Sequence, residues 1–176
     1  MGLFGSSNPV FEMLEQDHSK VKKLFEEFEA AEDSRTKQRI MKNTLLELEV
    51  HAELEETLIY PAIRKKIDAD KIMDEALEEH HVAHTLINEL KRGAGKSERH
   101  EAKFKVLGES IKHHVKEEEG TMFPQAEKAD LDWEALAQEA MERKKALLKG
   151  SGQKGSGQRR ARTGKKTQRR HLKKAA

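Results

Sequence analysis

Four stretches of this chain repeat apolar residues every three or four positions, and each stripe is broken at mid-length by histidine or glutamate. The first runs Phe11, Leu14, His18, Val21, Phe25 and Phe28, and the second Leu48, His51, Glu55, Leu58 and Ala62. The third is Met73, Leu77, His80, His84 and Ile87, and the fourth Leu107, Ile111, His114, Glu118 and Met122. That period belongs to amphipathic helices. Start and stop signals predict a helix opened by Ser7 or Asn8 and Pro9 and running to about Glu32. A second, set off by Asp33 and Ser34, ends near Ile67. A third begins at Asp68 or Asp70 and stops at the Gly93–Gly95 pair. Ser97 caps a fourth that reaches about Lys128, and Asp132 caps a short fifth through Leu148. Pro61 and Pro124 fall late in the second and fourth helices and predict a kink or local break in each. The fold class is therefore all-α: an up-down antiparallel four-helix bundle with a short fifth helix.

At 176 residues the chain is expected to hold one folded domain large enough to bury a core without disulfides, and it has no cysteine. No run approaches the roughly 18 apolar residues that would span a bilayer, and the start shows no secretory pattern, so the expected location is cytoplasmic. Charge is divided unevenly. Residues 150–176 hold ten Lys/Arg and no acid, leaving 24 basic against 32 acidic residues in the rest. The division into 1–149, the helical body, and 150–176, a Gly/Ser linker followed by a basic disordered tail, rests on this shift. The tail's cations could bind nucleic acid without sequence preference, or an acidic partner. It lacks base-stacking aromatics.

The polar breaks in the stripes are the informative feature. Five histidines and two glutamates directed at one core layer cannot stay as loose side chains, because an unpaired buried carboxylate costs several kcal/mol. Imidazole nitrogens and carboxylate oxygens suit iron, zinc or manganese, and no thiolate is present to favour softer metals. The i,i+4 pairs His51/Glu55, His80/His84 and His114/Glu118 each lie on one helix face, and His18 joins them from the first helix. Seven ligands exceed what one tetrahedral ion takes, so two ions are expected. Helices two and four also echo each other: His51, Glu55, Glu56 and Pro61 recur at the same offsets as His114, Glu118, Glu119 and Pro124.

At these residues the sequence resembles the hemerythrin-like (HHE cation-binding) family of four-helix bundles, over about Val10 to Lys128. The resemblance implies a non-haem di-iron centre, oxo- or hydroxo-bridged, held by His18, His51, Glu55, His80, His84, His114 and Glu118. With both glutamates bridging, one coordination position stays open for O2, peroxide or a small anion. The implied function is binding of such a molecule as sensor, store or scavenger. The alternatives are a peroxide-decomposing (catalase-like) or oxidase activity at the same centre, and a nucleic-acid-associated protein acting through the tail. The glutamate four residues after His114 departs from hemerythrins proper, whose carboxylate there is an aspartate one residue further on.

Other polar residues are assigned outside the ligand set. His81 and His113 turn about a hundred degrees off the stripe, and His100 and His171 are expected in solvent. Glu56, Glu79, Glu117 and Glu119 are read as a solvated face or as partners of the ligand imidazoles. Tyr60, the sole tyrosine, is placed to pack at the bundle end or to donate a hydrogen bond into the site. The chain has no P-loop, no G-x-G-x-x-G and no Ser/His/Asp set placed for hydrolysis.

Overall fold

The computed structural model describes residues 8–67, 70–93 and 98–160, with side chains placed for 8–67, 71–93 and 99–150. Helix α1 (Pro9–Ala30) is opened by Asn8, whose side chain accepts from the Val10 N–H at 3.0 Å. Helix α2 (Ser34–Leu54) is capped by Asp33, which accepts from the Thr36 N–H at 2.9 Å. It continues through a π-helical turn at Glu55–Ile59 into α3 (Tyr60–Arg64). Helix α4 (Asp70–Arg92) follows, then α5 (Glu98–Glu117), a second π-helical turn at Glu118–Met122, α6 (Phe123–Ala126) and α7 (Trp133–Arg160). Among the described residues there is no strand. The expected up-down bundle is present, built from α1, α2 with α3, α4, and α5 with α6.

The two prolines alter their helices locally, as expected, without ending them. Each is absorbed by the π-helical turn before it. An α-helical proline would collide with the carbonyl four residues back and supply no N–H to it. Here the N–H of Tyr60 instead donates to the Glu55 carbonyl five residues back, and the N–H of Phe123 donates to the Glu118 carbonyl in the same way. The wider turn takes in one extra residue, so everything beyond it rotates by about 100°. The core-facing residues after Glu55 are therefore Ile59, Tyr60 and Ile63, while the expected Leu58 and Ala62 are only half-buried.

Two apolar clusters lie above and below the polar layer. One gathers Phe11, Leu14, Leu54, Ile59, Ile63, Met73 and Phe123, with Leu136, Ala137 and Ala140 of α7 laid against it. Phe11 and Phe123 stack in it with centroids 4.5 Å apart and rings tilted by 8°. The other holds Val21, Phe28, Leu45, Leu48, Ile87, Phe104 and Leu107. Gly108 lets α5 approach α1 there, since a Cβ at that position would stand 3.0 Å from the Phe25 ring. The polar layer is thus closed off by hydrocarbon on both sides.

Helix α7 runs twelve residues past the expected end at Leu148, into the Gly/Ser segment. No apolar stripe accounts for that extension. It continues a formed helix, where each added residue gains a backbone hydrogen bond without a new nucleus. The expected boundary at residue 150 therefore falls inside a helix, and residues 161–176 of the basic tail lie outside the described residues. Among the described residues no helix is long and apolar enough to cross a membrane.

Candidate metal centre

Six of the seven expected ligands meet in one buried ring. His18 of α1 and His51 of α2 face each other with their Nε2 atoms 3.2 Å apart, and His80 of α4 and His114 of α5 do so at 3.1 Å. The two glutamates stand between these pairs. Glu55 Oε2 lies 3.1 Å from His51 Nε2 and 3.3 Å from His80 Nε2. Glu118 Oε2 lies 3.2 Å from His18 Nε2 and 3.3 Å from His114 Nε2. Each carboxylate thus links one histidine pair to the other. Both sit at the first position of a π-helical turn, fully buried, one helical turn after a ring histidine. The sequence echo between helices two and four is therefore a structural one.

The outer nitrogens explain why the inner ones converge. His18 Nδ1–H donates to Glu119 at 2.8 Å, His80 Nδ1–H to Glu56 at 2.9 Å and His114 Nδ1–H to Glu79 at 2.8 Å. An ionised carboxylate only accepts, so it fixes the proton on Nδ1 and leaves an Nε2 lone pair aimed at the ring. Facing lone pairs at 3.1–3.2 Å repel unless a proton or a cation lies between them. Both oxygens of Glu55 and Oε2 of Glu118 are buried without a hydrogen-bond donor. Converging imidazole nitrogens and three carboxylate oxygens without a donor are what a bound cation would satisfy.

Without a metal the ring relies on protons. Burial pushes the Glu118 carboxyl up, yet the His114 and His18 contacts outweigh it and hold Glu118 well below the usual carboxylate range. Burial and the Glu118 charge both push Glu55 up, and His51 and His80 still bring it below its ordinary value. Burial lowers His51, but the Glu55 charge and contacts with Asp17 and Glu55 raise it to about 10. His114, also lowered by burial, is raised by Glu118 to about 9.

Residues 10–126 match the family described as the hemerythrin HHE cation binding domain. The chain belongs to this family. The fold of this HHE domain is shared with a crystal structure of an HHE cation-binding domain-containing protein from Mycobacterium kansasii. The TM-score is 0.66 at 23% identity, over 92% of this chain and 94% of that one. A curated relative, a protein named DNA nickase from Nostoc sp. (strain PCC 7120 / SAG 25.82 / UTEX 2576), is 28% identical over 141 residues. That match takes in 78% of this HHE chain but only 39% of the relative's length.

The seventh expected ligand, His84, is not in the ring. Its Nε2 lies 2.8 Å from Glu56 Oε1, the same oxygen that accepts from His80, and its side chain is 37% exposed. Glu56 sits one residue after a ring glutamate and captures the His80 and His84 imidazoles of α4. Tyr60, brought inward by the π-helical turn, donates its hydroxyl to Glu118 Oε1 at 2.5 Å and stacks beside His80. Burial, then the Glu55 and Glu118 charges, push its phenol well above its ordinary value. His81 and His113 are exposed, as expected, whereas His100 is half-buried against Gly93. His113 lies 3.5 Å from Glu79 and 3.3 Å from Glu117, so Glu79 is divided between an exposed and a buried imidazole.

Two residues escaped the sequence reading. Asp17 is buried with Oδ2 3.6 Å from His51 Nδ1, and its other oxygen is paired with Lys144 of α7. The signals were present. Asp17 lies four residues from both Met13 and Val21 on the buried side of α1, and Lys144 follows Ala137 and Ala140 on the apolar stripe of α7.

Proposed function

We propose that the ring of His18, His51, Glu55, His80, His114 and Glu118 holds two non-haem iron ions and binds O2, peroxide or a small anion, as sensor, store or scavenger of that molecule. The observation that carries this reading is the ring itself: two facing histidine pairs joined by two buried carboxylates, three of whose four oxygens have no donor. Iron, when bound, supplies the redox chemistry that O2 or peroxide requires. The chain's own residues do the rest. Four Nε2 atoms and two carboxylates bind, and the outer glutamates hold the imidazoles in orientation. A cavity of about 20 Å³ adjoins the imidazoles, walled by Val21, Leu48, Ala83, Ile87 and Ile111. That is room for one water-sized molecule and not for an organic substrate. His84 lies on the same wall, where its imidazole could join the ligand set or hold a proton toward the molecule bound there.

The test is metal analysis joined to an optical spectrum under air, followed by two assays. The reduced protein should take up O2 with only partial release under vacuum, because the Tyr60 hydroxyl is committed to its hydrogen bond to Glu118 and is not part of the cavity wall. The protein as isolated should consume added hydrogen peroxide. Full release of O2 with no peroxide loss would favour a carrier, and fast peroxide loss that vanishes in His84→Ala would favour the catalase-like alternative. Absence of iron, or inertness toward O2 and peroxide alike, would reject the reading.

The Tyr60 contact makes a separate prediction. Tyr60→Phe leaves a buried Glu118 oxygen without its donor, and the metal-free protein should lose about 1–3 kcal/mol in urea unfolding. The iron-loaded protein should lose less, since its carboxylates have another partner.

The ten cations of 150–176 favour a second reading, electrostatic binding to nucleic acid. Deleting residues 161–176, which leaves α7 whole, should abolish retention on DNA at low salt. In the full chain, affinity should drop about a thousandfold or more between 50 and 200 mM salt if most of these cations meet phosphates. If the full chain shows no DNA retention at low salt, the second reading is withdrawn.

A further inference from the structure

Three of the four ring imidazoles have a glutamate at hydrogen-bond distance from Nδ1, at 2.8–2.9 Å. The fourth, His51, is different. Its carboxylate is Asp17, buried and 3.6 Å away, and neither Asp17 Oδ2 nor His51 Nδ1 has a hydrogen-bond partner. The other oxygen of Asp17 is held by the ammonium of Lys144, a side chain only 20% exposed. Lys144 belongs to α7, outside the residues 10–126 that match the family.

The packing of α7 brings this lysine to the site. Leu136, Ala137 and Ala140 are buried against the cluster formed by Phe11, Leu14 and Leu54, and Lys144 comes one turn after Ala140 on the same face. A lysine there would be costly without an acidic partner, and Asp17 would be a buried charge without a cation. Each makes the other tolerable. Arg143, its neighbour on α7, pairs with Glu53 at 2.8 Å and is half-exposed, so it docks α7 without touching the ring or its carboxylates.

We infer that Lys144 is a positioning residue of the metal centre: by anchoring one oxygen of Asp17 it keeps the other facing His51 Nδ1, which makes α7 part of the centre. This rests on the reading of the ring as a metal site. Asp17 then acts on His51 as the glutamates act on the other three imidazoles, but through a contact that a displacement of α7 would break. Among the described residues, the Nδ1 partners of the other three ring histidines all lie within the family's bundle.

The test uses the full-length iron-loaded protein and compares wild type with Lys144→Met, Lys144→Arg and Arg143→Met. Iron per chain at saturation, measured in wild type, tests the metal reading by itself. The rate of iron loss to excess chelator and the visible spectrum test the inference. Lys144→Met should lose iron about tenfold faster and shift the spectrum, the usual scale for losing a group that orients a metal ligand. Lys144→Arg should recover most of both effects, and Arg143→Met should match wild type. Unfolding of the metal-free variants reports any general damage to α7 docking. An unchanged or slower loss of iron in Lys144→Met would overturn the inference, as would equal acceleration in Arg143→Met.

Discussion

On the proposed two-iron reading, replacing Glu55 or Glu118 by alanine should reduce bound iron to at most one ion per chain, and replacing both should abolish loading. Each carboxylate approaches one histidine from each pair, so either loss strips a ligand from both halves of the ring. Losing a group that merely orients a ligand costs about 10–100-fold in metal affinity, so losing a carboxylate shared between the halves should exceed about a hundredfold. Metal analysis after dialysis, with circular dichroism to confirm that the helices persist, decides the matter. The metal-free variants should also be less stable than the metal-free parent near pH 6, where the protonated imidazoles would lack their compensating charge. Full loading of the double variant would mean that the ring is not the metal site.

Metal binding should release at least two protons per chain at pH 7, from His51 and His114, which are raised to about 10 and about 9 in the metal-free fold, with a further share from His18, which burial lowers but contacts with Glu118 and Glu119 raise on balance. Titration of the metal-free protein with ferrous iron under argon in weak buffer measures this directly, and apparent affinity should rise with pH. Stability of the metal-free protein moves the opposite way. His51 and His114 have folded pKa values above the unfolded value of about 6.5, so their contribution is complete below that pH and disappears as pH rises through about 9 to 10. Glu55 and Glu118 are lowered, so theirs is complete above the ordinary carboxylate value and is lost as pH falls below it. The metal-free protein should therefore be most stable between about pH 4.5 and 6.5. Metal uptake without proton release would show that the imidazoles are neutral and that the ring is not compensated by protons.

Much of this could be read in one dimension. Helix limits followed from Asn8, Pro9, Asp33 and the glycines after Arg92, because caps and stops act within a few residues of their position. The ring's six side chains were legible because a polar residue repeated at the same depth of four apolar stripes has few other physical explanations, and because i,i+4 spacing is a local property of a helix. Three of the outer glutamates adjoin ligand residues in the sequence and were already candidates. What the chain order could not reveal is which partner wins when several are within reach. Glu56 captures His84 as well as His80 only because α4 lies beside the first π-helical turn. Ile59 and Tyr60 replace Leu58 in the core because a proline displaces one backbone hydrogen bond by one residue, a competition between ring sterics and helix geometry that periodicity does not register. Lys144 and Asp17 are 127 residues apart, and their pairing follows from the docking of α7 on α1. Local spacing determines which side chains face inward, and packing between distant segments decides what each of them meets there.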